Sequence, residues 1–413
     1  MAYEFRGVEY LRKKLEWKRR RVLDRYRFYE MKNWAFDFGI STPPDLRAWN
    51  SCLGWCAKSV DALADRLVFR EFTNDVFDIN GIAAANNPDI FYDSAVLSAL
   101  IASCAFVYIT PGDEGPAWQV IDGANATGEI NPITMLLEEG YAVLERDKNY
   151  NPTVEAYLTP DATYIFRDGD RDPEIYEHSA GYTLLVPVIY RPDAVRAFGH
   201  SRISRANMSL VGSALRTIKR SEVAAEFYSF PQKYVSGLAE DAEIDKWKAT
   251  MSSMISFTKD EDGDRPVVGQ FQQQSMTPHV EQLRMFAALF AGENGLTLDD
   301  MGFPSDNPSS AEAIKSAHEN LRLTARKAQR NFAVGFLNVG FVSVCLRDGK
   351  AYNRSQLSQL YRNAAKWEPI FEPDAAMLSL IGDGAIKINQ AVPNFFDAAA
   401  LRDITGLQAS QQQ

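Results

Sequence analysis

The spacing of apolar and polar positions divides the chain into helical ends around a central block of strands. Near the start, Leu11, Leu15, Val22, Tyr26 and Tyr29 recur at helix-like intervals. Residues 45 to 70 read as another helix, with Leu53, Val60, Leu63, Ala64 and Leu67 on one side, and helix resumes over NPDIFYDSAVLSALIASCAF. From Phe106 to Tyr190 the texture changes. The runs FVYITP, AWQVID, YAVLERD, TVEAYLTPDATYIFRD and TLLVPVIYRP are β-branched and aromatic, and Gly, Asn, Pro and Asp break them up. That pattern predicts an antiparallel sheet with hairpins. Helix is predicted again from about Ser201 to Tyr228 on the stripe Ile203, Leu210, Val211, Ala214, Ile218 and Ala225, with Ser201 as its cap. A short strand at FPQKYVSGL follows, then a polar helix around Ile244 to Met254, the acidic loop KDEDGDRP, a second strand VVGQFQQQ and a helix over VEQLRMFAALFAGENG.

The longest predicted helix begins in NPSSAEAIKSAHENL. Ser309 and Glu312 form a capping box, in which each side chain reaches an otherwise unbonded backbone amide, and Pro308 keeps the entry extended. Ile314, Ala317, Leu321, Ala325, Ala328, Phe332, Gly335, Phe336, Val339 and Val342 then trace one stripe. Continued to about Leu346, such a helix is on the order of 50 Å long. The tail returns to helix over SQLSQLYRNAAKW and DAAMLSLIGDGAIKINQAVP, with a last short turn before a Gln-rich end. No internal repeat is present.

A chain of 413 residues that is 46% hydrophobic can bury large cores, and its length suggests two or three domains. A formal net charge of -10 argues against a protein that coats phosphates along nucleic acid. The charge is uneven. Ten Lys/Arg stand against four Asp/Glu between Glu9 and Lys32, so that segment is a solvated basic helix face or an arm for an acidic neighbour or DNA. Cysteine is sparse. Cys52 and Cys56 sit one helical turn apart but lack a second Cys/His pair at metal-ligand spacing, so buried or free thiols in a reducing compartment are expected. The N-terminus has no apolar signal region and no run of eighteen apolar residues exists, so the expectation is a cytoplasmic product without secretion or a membrane span.

Candidate chemistry is thin. FGHSRI resembles the start of a nucleophile elbow, but Ile203 stands where the second glycine is needed. In DGDRDPE, Asp168, Asp170 and Asp172 alternate like the start of a calcium loop, yet Pro173 and Ser179 occupy the glycine and bidentate-acid positions, which leaves an acidic hairpin tip. Phosphate-cradling glycine motifs and zinc patterns are missing, and GDGAIK has the wrong spacing. No catalytic, cofactor or metal residue is assigned, and an enzyme is not expected. The alternative is a soluble α+β hydrolase acting through Ser201 or scattered carboxylates.

Taken in order, several segments resemble the portal proteins of tailed bacteriophages, in particular the siphophage branch. FGHSRISRANMSLVGSALRTIKRSEVAAEFYSFPQKYVSGL is similar to the stem helix that runs into the first clip strand. VEQLRMFAALFAGENGLTLDDMGF with NPSSAEAIKSAHENL is similar to the second stem helix, channel loop and long following helix, and WEPIFEPDAAMLSLIGDGAIKI to the start of the C-terminal region. These cover about half the chain, from Phe198 to near its end.

The resemblance implies an α+β portal fold: a basic helical arm over 1–44, a wing of helices and antiparallel sheet over 45–198, a first stem helix over 199–230, a small α/β clip over 231–277, a second stem helix over 278–292, a channel loop over 293–308, a long helix crossing the ring wall over 309–346, and a short helical crown over 347–413. It implies a homo-oligomeric ring, twelve-fold in virions, at one capsid vertex. Such a ring nucleates head assembly with major capsid and scaffolding proteins and docks the terminase large subunit and the head-tail adaptor. It passes double-stranded DNA, without enzymatic activity, cofactor or membrane, and is made in the host bacterial cytoplasm. Carried onto this sequence, the channel loop holds Asn294, Thr297, Asp299, Asp300 and Asn307, with no Lys or Arg. The stem carries Arg202, Arg205, Arg216, Lys219 and Arg220, facing either DNA or a neighbour's carboxylates. The clip strands hold Tyr234 and Val235 on one side and Val267, Val268 and Phe271 on the other, as a pair that in this family can cross between subunits. An acidic balance suits a conduit, because many wall cations would grip each passing phosphate.

Overall fold

The computed structural model describes residues 3–38, 42, 44, 47–113, 115–168, 172–229, 233–236, 267–270, 275–304, 316–353, 355–356, 358, 360–371 and 375–405. Helix α1 (Val8–Tyr29) opens the chain and buries the expected Leu11, Leu15 and Val22. Leu11 and Leu15 share a cluster with Tyr141 and Val143, and Val22 packs with Ala102 and Ala124. The helix is docked on the body, and the residues before it are pinned too. The fully buried carboxylate of Glu139 accepts from Tyr3 Oη at 2.8 Å, the amides of Arg6 at 3.0 Å and Gly7 at 3.1 Å, and Tyr157 Oη at 2.9 Å. A buried charge with its lone pairs filled in this way is tolerable, whereas an unfilled one is costly.

The single helix predicted over 45–70 is shorter and leads into a strand: α2 (Trp55–Ala64) is followed by β1 (Phe69–Phe72). Short α3 (Ile79–Ala84) and then α4 (Pro88–Ala102) follow, the latter with proline in its first turn. The helix predicted through Phe106 stops at Ala102, where Ser103 takes φ 98° and turns the chain into β2 (Cys104–Gly112). The strands continue as β3 (Gly115–Asp122), β4 (Ala126–Ile130), β5 (Leu137–Arg146), β6 (Pro152–Leu158), β7 (Ala162–Arg167), β8 (Glu174–Glu177) and β9 (Leu185–Ile189).

The one sheet expected here is two. Strands β4 to β8 form a five-stranded antiparallel meander, while β9 skips back to pair with β2 in the order β3-β2-β9. Leu185–Ile189 is buried at every position, as is β2 from Cys104 to Ile109. A strand covered on both faces reads as one apolar run and hides which sheet it joins.

After this block come α5 (Arg205–Ser229), β10 (Lys233–Ser236), β11 (Val267–Gln270), α6 (Thr277–Asn294), α7 (Glu319–Arg347), β12 (Ala365–Trp367), α8 (Ala375–Ala391) and α9 (Ala398–Thr405). Of the long predicted helix, Glu319–Arg347 is described as one rod, about 43 Å at 1.5 Å per residue. His318 interrupts it, with residues 316–317 helical on the other side. The capping box at Ser309 and Glu312 lies outside the described residues. From Leu321 the apolar stripe is buried as the sequence predicts, but from Gly335 to Cys345 the helix is buried all round. It packs on β9, β2 and β3, and Gly335 lets it approach: a Cβ there would stand 3.3 Å from the Val188 Cα. The rod is therefore partly core of its own chain.

The tail corrects a further expectation. SQLSQLYRNAAKW, read as helix, holds a 3-10 turn (Leu360–Arg362) and then β12, which pairs antiparallel with β1. Aromatic packing decides it. Trp367 meets Phe69 edge-on at 5.3 Å and stacks near Phe336 at 6.1 Å, gains that a lone helix would forgo. The helix predicted over DAAMLSLIGDGAIKINQAVP appears as α8. No described helix is long and apolar enough to cross a membrane.

Candidate functional site

Helices α5 and α6 pack against each other. The contact buries Val211, Ala214, Leu215 and Val223 on α5 and Ala287, Phe290 and Ala291 on α6. Thr217 Oγ1, also buried, donates to Gln282 Oε1 at 3.0 Å across the pair. Where the pair meets the body, the interface is polar. Asn207 and Asn294 exchange amide hydrogen bonds at 2.8 and 3.2 Å, Asn207 Nδ2 also donates to Arg202 O at 3.0 Å, and Asn294 Nδ2 to Phe290 O at 2.8 Å. The guanidinium of Arg202 donates from Nε to Ser59 O at 3.2 Å and from Nη2 to Asn294 O. Its backbone amide donates to Leu100 O at 2.8 Å. One buried knot thus joins α2, the end of α4, the start of α5 and the end of α6.

Two expectations are corrected here. The resemblance puts Arg202 on the stem, facing DNA or a neighbour, but it is 7% exposed and bonded to carbonyls. Burial lowers its pKa from the ordinary guanidinium value, and the carbonyl end of α6 offsets that with its partial negative charge. The resemblance puts Asn294 in the channel loop, but it closes α6 and is buried. Gly295 follows in the left-handed conformation, and Leu296 N donates to Ala291 O at 2.9 Å, a glycine-ended helix stop. Asn207 and Ser59 carry the knot and went unnoticed in the sequence. The only signal was an unusual density of polar residues in SRISRAN at the start of an apolar stripe.

The other basic residues differ among themselves. Arg205 is exposed. Lys219 pairs with Asp37 at 3.0 Å and donates to Arg47 O at 2.9 Å. Arg216 and Arg220 lie over the Phe38 ring at 5.0 and 5.8 Å. Three of the five therefore hold the segment that follows α1.

Of the expected loop, the part through Phe303 is an anchored turn. Leu296 and Met301 are buried in the main core. Thr297 N and Oγ1 both reach Asp300 Oδ2 at 2.9 Å, and Asp300 N returns to Thr297 Oγ1 at 3.2 Å. Asp299 is exposed, and Asn307 lies outside the described residues. The two strands expected for a clip, β10 and β11, pair antiparallel: Tyr234 opposite Gly269, Val235 opposite Val268 and Ser236 opposite Val267. Phe271, the polar helix around 244–254 and KDEDGDRP lie outside the described residues.

Ser201, expected as the cap of α5, is not its cap. Its hydroxyl donates to Ile101 O at 2.6 Å and accepts from Ile203 N at 2.9 Å, while Ser204 Oγ accepts from Asn207 N at 3.1 Å in the capping position. The adjacent His200 is turned away to Asp193, with Nε2 to Oδ2 at 2.6 Å. Asp168 sits at the end of β7 and its amide donates to Thr153 O at 2.9 Å; Asp170 lies outside the described residues. Among the described residues no three His, Cys, Asp or Glu side chains gather as a metal site.

No protein-family model matches the chain. Two curated relatives do. The portal protein of Mycobacterium phage L5 is 22% identical over 332 residues, 75% of this chain and 67% of its own length. The portal protein of Mycobacterium phage D29 is 22% identical over 331 residues, 74% and 67% of the two. Among solved structures, the neck of an empty gene transfer agent particle computed with C6 symmetry aligns with TM-score 0.47, 12% identity, and 90% and 96% coverage. The virion of a native gene transfer agent particle aligns with TM-score 0.43, 12% identity, and 94% and 100% coverage. Each sequence alignment covers about three quarters of the chain, which is thus similar at 22% identity to two mycobacteriophage portal proteins.

Proposed function

We propose that this chain is the subunit of a portal ring, a virion component through which double-stranded DNA is packaged and later ejected. One observation carries the reading: the similarity to two phage portal proteins over three quarters of the chain. In this reading α5 and α6 form the stem, β10 and β11 belong to the clip that meets the terminase motor and the head-tail adaptor, and the sheet block with α7 forms the wing beside capsid and scaffolding proteins. A twelve-fold ring is expected.

Two physical features support it. Of the five basic residues on the first stem segment, Arg202 is buried and Arg216, Lys219 and Arg220 are engaged by Asp37 and Phe38, which leaves Arg205 exposed there and Arg284 exposed on α6. A chain of net charge -10 with few outward stem cations makes a wall that DNA slides past. Apolar residues also face outward on α6 and α8, where a neighbouring copy would cover them. The hydrolase reading gains no support, because the Ser201 hydroxyl is committed to a backbone carbonyl. The test is sedimentation and negative-stain electron microscopy of the purified protein. Annular particles many times the 46.3 kDa subunit are expected. A monomer at micromolar concentration across salts, with no rings on the grid, would overturn the proposal.

A further inference from the structure

Between α1, the strands β2 and β4 and the loop after β9 lies a cavity of about 530 Å³. Its wall carries Lys14, Lys18, Arg21 and Arg25 from one face of α1, at steps of four, three and four, and Arg196 from the opposite loop. The single carboxylate in the wall, Glu129, is already held by Lys14. Five cationic side chains thus face one cavity with one acid among them. The loop that brings Arg196 is fixed by Gly199, which has φ 73° and lies where a Cβ would come within 2.1 Å of Tyr190 O.

We propose that this cavity binds a multivalent oxyanion of the phosphate class. Gathering like charges in a half-enclosed space disfavours the empty state, because the partly buried Lys14, Lys18 and Arg25 lose water and meet one another and the more exposed Arg21 and Arg196. Burial, then the neighbouring Lys14, pulls the Lys18 pKa down; burial, then Arg21 and Arg196, pulls Arg25 down to about 10. Arg25 donates from Nη1 to Ala102 O at 2.6 Å, while its Nε is buried with no hydrogen-bond partner. Lys18 lies over the Phe198 ring at 4.8 Å, which orients its ammonium without neutralising it. One carboxylate would leave most of this charge uncompensated. A phosphate-class ion brings more than one negative charge in a compact body, with oxygens that guanidinium groups engage in pairs. The ion could be free or a phosphate of a nucleic-acid backbone. The inference is independent of the portal reading, since the cavity is complete within one chain.

The test uses the full chain in chloride buffer at matched ionic strength, with calorimetric titration of pyrophosphate and inorganic phosphate. Binding is expected, with affinity falling at least about tenfold in Lys18→Met and in Arg21→Met. Arg27→Met, an exposed charge of the same helix outside the cavity, should leave it unchanged. A second readout covers variants that fold poorly. Without anion, Lys18→Met should melt above the parent, because the repulsion is relieved, and pyrophosphate should no longer raise its melting temperature. Competition by a short DNA duplex would assign the phosphate to nucleic acid, and its failure to compete would assign a free ion; either supports the site. No binding, binding indifferent to both substitutions, or displacement of pyrophosphate by a Glu-rich peptide at lower concentration would overturn it.

Discussion

From Gly335 to Cys345 every residue of α7 is buried, Asn338 and Ser343 included, and Ser343 Oγ accepts the Trp118 indole N–H at 2.8 Å. Helix α6, of similar apolar pattern, buries only Ala287, Phe290, Ala291 and Asn294 and turns Val280, Met285 and Leu289 outward at 58%, 49% and 52% exposure. Helix α8 goes further, with Leu380 at 72% and Ile386 at 61%. Periodicity tells which side chains favour burial, but not which molecule supplies the cover. The core around α7 is completed by its own chain, and the faces of α6 and α8 are left uncovered by the described residues.

That contrast can be broken in four ways. The largest loss is expected at Phe336, whose ring meets those of Phe69, Tyr92, Phe332 and Trp367. Phe336→Ala should cost about 3–5 kcal/mol in denaturant unfolding, and a cost below about 1 kcal/mol would mean the α7 core is not completed within the chain. Next is the polar knot. Asn207→Leu and Asn294→Leu should each cost about 1–3 kcal/mol, with a double-mutant coupling of about 1 kcal/mol or more; additive losses would show the two amides to be independent.

Smaller per group is the alkaline effect. Burial lifts the thiols of Cys56 to about 12 and of Cys104 and Cys345 to about 11 from an ordinary 9.0. A folded pKa above the unfolded one means that stability is intact below pH 9 and falls as pH rises through 9 toward 11. About 1 kcal/mol per thiol should be gone by pH 10, read as a falling urea midpoint. Exposed Cys52 should be alkylated before the other three. The smallest change in chain stability belongs to Leu289→Asp, within about 0.5 kcal/mol. For the proposed ring its effect should show in particle size, and particles that assemble unchanged would place the outward face of α6 away from contacts between copies.

Much of this was readable in advance. The α7 stripe, the docking face of α1 and the β10–β11 pair follow from residues whose periodicity and partners agree. The misses share a cause: a distant partner overrode a local pattern. Phe69–Phe72 became a strand because Ala365–Trp367 lies alongside, and β9 left its neighbours in sequence to join β2. Arg202 and Asn294 went inside because each completes hydrogen bonds that begin on another helix. A charged or amide side chain is placed on the surface by default, and only the positions of Ser59 O and Asn207 reverse that.

The knot also has a mechanical meaning. A helical rod joined to its base by oily contacts alone can roll, since such contacts have no preferred direction. Here directional bonds from Arg202, Asn207 and Asn294 tie the rods at their foot to two further helices. A sideways push on the far end would meet a fixed lever and be handed down as torque to α2 and α4, with little bending at the foot.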